Sequence, residues 1–99
     1  MKIIFNIQRF DGINVNNTAS NTIISGTSYN DTIINSGSNV KIAGKINDDY
    51  IESNNASKVS ISGGQGKDTI ISSGENVTIT GDAGNDSIIK NNVNAVTAF

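Results

Sequence analysis

Apolar residues recur along this chain in short strings with a spacing of two: Val40 with Ile42, Val59 with Ile61, and Val77 with Ile79. Between these strings stand single inward candidates, Ile33, Ile51, Ile70 and Ile88, each at the same place in a run of Gly, Asn, Ser and Asp. A spacing of two marks a half-buried strand, and turn-forming residues between short strings mark strand–turn–strand–turn. No window offers the 3.6-residue stripe of a helix. Asn21–Ile24 is a fainter copy of the pattern and Ile13–Val15 one fainter still.

The strings repeat on a fixed frame. Gly26, Gly44, Gly63 and Gly81 stand 18, 19 and 18 residues apart. Each opens a unit with an aspartate at its sixth position: Gly26–Ile34, Gly44–Glu52, Gly63–Ile71 and Gly81–Ile89. Between them lie units without aspartate, around Asn39–Ile42, Lys58–Ile61 and Asn76–Ile79. Two strands per 18-residue period predict an all-β fold. It is a right-handed parallel β-roll, a β-solenoid of about five coils, each burying its isoleucines against the coils above and below. The predicted core is Ile13, Val15, Ile24, Ile33, Val40, Ile42, Ile51, Val59, Ile61, Ile70, Val77, Ile79 and Ile88. Ninth-position residues Ile34, Ile71 and Ile89 should face outward; Ile24 falls in both sets. The extra residue behind the spacing of 19 belongs to Ser53–Lys58, on the side without aspartates. One domain follows: a cap with a first degenerate coil over 1–25, the repeat over 26–89, and a cap or tail over 90–99.

Composition narrows the function. The 99 residues include no Pro, Cys, His or Trp, and Asn, Ser and Thr fill more than a third of the chain. A net charge of −2 without a basic patch argues against a nucleic-acid partner. No histidine, cysteine or nucleophile-with-base arrangement is present, so an enzyme is not expected. Met1–Ile7 is too short and broken for a signal-peptide core and reads as a first strand or cap. Nothing approaches a membrane-spanning length. So thin an apolar supply usually needs a staple, and a structural metal is one.

One stretch supplies the chemistry for it. Gly63–Ile71 fits G-G-x-G-x-D-x-U-x, with U a large apolar residue, and Gly81–Ile89 echoes it. Glycines let the backbone turn through positive φ and aim carbonyls inward, the aspartate adds a carboxylate, and such an all-oxygen set suits a hard cation. Residues 26–89 thereby resemble the RTX, or haemolysin-type, calcium-binding repeats. The resemblance implies Ca2+ between the loops of successive coils. Gly63, Gln65 and Asp68 would act with Asp82, Gly84 and Asp86, and Gly44, Ile46 and Asp49 with Gly64, Gly66 and Asp68. A third set would join Gly26, Ser28 and Asp31 to Lys45, Asn47 and Asp49. Lys45 and Tyr29 depart from the pattern where it has glycine. Asn47 also replaces a glycine, but asparagine tolerates that conformation.

The resemblance further implies a calcium-binding structural module of a secreted or surface-displayed bacterial protein, exported by a type I system. The alternative is a metal-independent Asn/Ser/Thr-rich solenoid with an adhesive or structural role. Ile34, Ile71 and Ile89 are expected to be covered by a second chain or by the N-terminal segment.

Overall fold

A computed structural model describes residues 2–4, 12–94 and 97–98, with side chains over 12–90. Eleven strands run β1 (Lys2–Ile4), β2 (Asn14–Asn17), β3 (Thr22–Ser25), β4 (Thr32–Asn35), β5 (Val40–Ala43), β6 (Tyr50–Ser53), β7 (Val59–Ser62), β8 (Thr69–Glu75), β9 (Thr78–Thr80), β10 (Ser87–Asn94) and β11 (Thr97–Ala98). They form two parallel sheets. Sheet A has the order β1-β3-β5-β7-β9-β11 and sheet B the order β10-β8-β6-β4-β2. The chain alternates between the sheets, so equivalent strands of successive coils become neighbours. This is the parallel β-solenoid that the glycine period predicts. Its two-strand coils β2–β3, β4–β5, β6–β7 and β8–β9 make about four turns, one fewer than the period suggests, and β10 opens the next. That next coil, β10 with the two-residue β11, is described only in part, since residues 95–96 between them lie outside the described residues.

Register carries identical residues into contact. Ile33, Ile51, Ile70 and Ile88 stack across sheet B, and Ile24, Ile42, Ile61 and Ile79 across sheet A. With Val40, Val59 and Val77 these form one core between the sheets. Val15 and Ile88, near the two ends of the stack, are only partly buried against it. Each fully buried isoleucine contributes about 1.5–3 kcal/mol. Ile24 belongs to this core and Ile23 takes the outward place, because β3 pairs Ile24 with Ile42, one 18-residue period on, at the eighth and inward position of its unit.

The core also contains what the apolar pattern does not show. Asn17, Asn35, Ser53 and Ser72 end the inward face of sheet B and are buried. Asn17 Nδ2 donates to Asn35 Oδ1 at 2.8 Å and Asn35 Nδ2 to Ser53 Oγ at 3.3 Å. Asn35 also closes its own turn, donating to Gly37 O and accepting from Gly37 N. Asparagine therefore replaces a backbone turn bond and links coils at once.

The pairings Val40↔Val59 and Tyr50↔Thr69 span 19 residues, while Thr32↔Tyr50 and Ser60↔Thr78 span 18. The extra residue thus lies between Tyr50 and Val59. The bulged turn folds Ala56 inside, fully buried. Gly74 of the next coil passes so close that a Cβ there would lie 2.0 Å from Ala56 O. On this side of the solenoid Asn21, Asn39, Lys58 and Asn76 turn the chain into each strand with φ of 56–57°, a conformation that asparagine tolerates best among residues with a Cβ.

Ile34 and Ile71 are half-buried and Ile89 exposed on the outer face of sheet B. The described part of the N-terminal segment, β1, adds to sheet A. Residues 5–11, the rest of that expected cover, lie outside the described residues.

Candidate metal centre

The four aspartate-bearing turns lie on one side of the solenoid, each leading from sheet A into sheet B. Their backbone amides and carbonyls stack from coil to coil: Gly26 N donates to Ala43 O at 2.7 Å, Gly44 N to Ser62 O at 2.8 Å, and Gly63 N to Thr80 O at 2.8 Å. Within the stack the sixth-position aspartates form a ladder. Oδ1 of each accepts the backbone amide one coil back: Ile13 N to Asp31, Asp31 N to Asp49, Asp49 N to Asp68 and Asp68 N to Asp86, all at 2.9 Å. Asp31, Asp49 and Asp68 are buried by this stacking.

The second oxygen of each carboxylate folds back on the glycine that opens its own loop. A Cβ on Gly44 would lie 2.5 Å from Asp49 Oδ2 and 2.9 Å from Gly63 O; one on Gly63 would lie 2.5 Å from Asp68 Oδ2. Glycine thus leaves a small space into which carboxylate and carbonyl oxygens converge. Asp49 Oδ2 and Asp68 Oδ2 are buried there without any hydrogen-bond partner. A buried carboxyl oxygen with no partner is costly, and a hard cation is the partner that a set of oxygens with no donor accommodates. Among the described residues no three acidic side chains converge. Backbone carbonyls would therefore make up most of any ligand set.

Loops 44–49, 63–68 and 81–86 share one backbone shape. Their second and fourth residues have positive φ: Lys45 and Asn47, Gly64 and Gly66, Asp82 and Gly84. At Gly64 no other residue fits, since a Cβ would lie 1.9 Å from Lys45 O. Lys45 adopts φ +79° despite its side chain. Loop 26–31 is different: neither Thr27 nor Tyr29 has positive φ. There Thr27 N donates to Asp31 Oδ2 at 2.7 Å and Thr27 Oγ1 to Asp31 Oδ1 at 2.8 Å. Sequence reasoning passed over Thr27. The available signal was a hydroxyl residue at the second position, where the other loops have Lys, Gly and Asp.

Two more side chains tie the loops together. Asp82 Oδ2 accepts from Ser62 Oγ at 2.7 Å and from Gly64 N at 3.3 Å, so this carboxylate faces back to the preceding loop. At the fifth positions Asp48 N donates to Asn30 Oδ1 and Lys67 N to Asp48 Oδ1, an outer ladder beside the inner one.

Electrostatics follow the burial. Loss of solvent pushes the Asp49 carboxyl up to about 8; the amide of Asp31 opposes this, and the charges of Asp31 and Asp68 add to it. Burial likewise raises Asp68 to about 6, against the amide of Asp49 and with the charges of Asp86 and Asp48. Charge removed from water and stacked in a row resists ionisation.

The RTX calcium-binding nonapeptide repeat, in four copies, matches residues 17–39 and 62–89, just over half of the chain. No curated protein and no solved structure matches it. Loop 44–49 lies outside the matched residues yet has the backbone of loops 63–68 and 81–86. Loop 26–31 lies inside them yet has another.

Proposed function

The chain belongs to the RTX calcium-binding nonapeptide repeat family, and on that premise we propose that it is a structural module whose folding Ca2+ stabilises. Gly63, Gln65 and Asp68 with Asp82, Gly84 and Asp86 would hold one ion. Gly44, Ile46 and Asp49 with Gly64, Gly66 and Asp68 would hold another, Asp68 serving both. The observation that carries this reading is the buried, partnerless Oδ2 of Asp49 and of Asp68. Asp31 has its acceptors taken by Thr27, so the proposal places no ion on it. The ion supplies positive charge to a row of carboxylates that otherwise repel one another.

Such a cation binds the assembled pair of loops and not the unfolded chain, so its binding energy adds to folding stability. At ~100 times the dissociation constant the gain is about 2.7 kcal/mol, a large share for a small domain. No catalytic role is assigned. The family's association with secreted bacterial proteins supports an exported or surface-displayed setting, reached by a type I route. Self-association across sheet B belongs to the same proposal, since Ile71 pairs with Ile89 on its outer face.

A second reading, a metal-independent adhesive or structural solenoid, draws on the Asn17–Asn35–Ser53 ladder, which links coils without an ion. Circular dichroism and isothermal titration with calcium and with chelator decide between them. Calcium stabilisation requires a higher melting point with the ion and about two ions per chain. An identical spectrum and melting point in both conditions favours the metal-free solenoid.

A further inference from the structure

We infer that loop 26–31 is a metal-free latch, in which Thr27 does for Asp31 what calcium does for the later aspartates, and that it keeps the first coils closed when calcium is absent. The inference deepens the calcium reading by giving the stack a fixed end, but its geometry stands apart from any ion.

Five observations carry it. Asp31 is buried as deeply as Asp49 and Asp68, and forms an equivalent rung of the same ladder. Its environment differs in the number of donors. Asp49 and Asp68 each take one backbone amide on Oδ1 and leave Oδ2 bare. Asp31 takes the amide of Ile13 and the hydroxyl of Thr27 on Oδ1, and the amide of Thr27 on Oδ2. The cause is the backbone. Thr27 lacks the positive φ of Lys45, Gly64 and Asp82, and its amide reaches the carboxylate of its own loop. Thr27 Oγ1 also accepts from Tyr29 N at 3.1 Å, which holds the hydroxyl in place. Thr27 itself is 8% exposed, so water cannot easily compete for these bonds.

The consequence concerns order. Without calcium, buried carboxylates without partners at Asp49 and Asp68 oppose closure of their loops. Asp31 imposes no such penalty. The coils from β2 to β4 can therefore stay formed while those from β6 onward loosen, and calcium then closes the later loops onto an existing template. Pairing onto a formed strand avoids the nucleation step that a parallel stack otherwise requires.

Hydrogen exchange read by mass spectrometry tests this on the full chain. In chelator, amides of β2–β4 should exchange at least tenfold more slowly than those of β8 and β10. Thr27→Val, which removes the hydroxyl at nearly constant volume, should erase most of that difference. Thr27→Ser should retain it. Added calcium should protect residues 44–89 in all three chains with unchanged stoichiometry. Equal exchange of β2–β4 and β8 in the unsubstituted chain in chelator overturns the latch, even if Thr27→Val fails to fold. So does a Thr27→Val chain that exchanges like its parent. A chain showing the Thr27→Val loss in chelator but no response to calcium supports the latch and overturns the calcium reading.

Discussion

The amide of Asp49 donates to Oδ1 of Asp68 at 2.9 Å, and that single bond leaves Oδ2 of Asp68 buried with no partner. Each aspartate thereby supports the coil before it with one oxygen and exposes a need with the other. Asp68 sits in the middle of the ladder, between Asp49 and Asp86, so its loss disturbs two inter-loop junctions. Asp68→Ala should abolish most calcium-dependent stabilisation and lower the ion count per chain. Asp31→Ala should leave calcium affinity within a few-fold of the parent. It should still destabilise the chelated chain by about 1–3 kcal/mol, because Thr27 and Ile13 lose their acceptor. Calcium titration paired with urea melts in chelator checks both. Equal effects of the two substitutions on affinity would contradict the assignment.

Positions 45 and 64 are equivalent in their loops and should respond oppositely. Gly64→Ala places a Cβ 1.9 Å from Lys45 O at φ +85°, and should cost of order 3 kcal/mol. Lys45→Gly relieves a side chain held at φ +79°, which stabilises by about 1 kcal/mol, and removes a positive charge next to the loop. Melting temperatures with and without calcium should move down for the first and up for the second. A stabilising Gly64→Ala would exclude the loop stacking described here.

Acid should stabilise the metal-free chain. Asp49 is raised from 3.8 to about 8 and Asp68 to about 6. Above pH 3.8 the folded chain therefore holds protons that the unfolded chain has released. Stability then falls as pH rises, through about 6 for Asp68 and about 8 for Asp49. Calcium needs the ionised carboxylates, so its contribution should rise over the same window. Thermal melts in chelator from pH 5 to 8.5 should show a declining midpoint, and melts in calcium a smaller decline or a rise. A chelated midpoint that climbs with pH would refute the burial of these groups.

The polar ladder offers a contrast without metal. Asn35 is fully buried and bonds to Asn17, Gly37 and Ser53. Asn35→Ala should cost about 2–3 kcal/mol by leaving turn groups unpaired. Ser72 is at the equivalent place, but its hydroxyl has no partner. Ser72→Ala should be neutral or stabilising by up to about 1 kcal/mol. Chemical denaturation at saturating calcium and in chelator should rank the two alike.

How much of this was legible beforehand differs by residue. The β-solenoid, its two-strand coil and the stacking of Ile33, Ile51 and Ile70 follow from a local period, because a repeat that cannot bury its own face must stack on its neighbour. The position of the extra residue was legible for the same reason, as spacing alone locates it between Asp49 and Val59.

Other features depended on the third dimension. Ile24 stood in both the inward and the outward set, and the register of β3 against β5, which sets it beside Ile42, assigns it to the core. Asn35 and Ser53 read as turn residues because polarity says nothing of direction, and the buried ladder exists only where coils meet. All four aspartates stand at the sixth position of a unit, and the chain distinguished them only by the glycines that Tyr29, Lys45 and Asn47 replace. Which of them lacks donors is decided by the φ of the residue four places earlier, and Thr27 satisfies Asp31 where Lys45 and Gly64 leave Asp49 and Asp68 bare. A period is a property of neighbours in sequence, whereas the unmet valence of a buried oxygen is a property of everything that surrounds it.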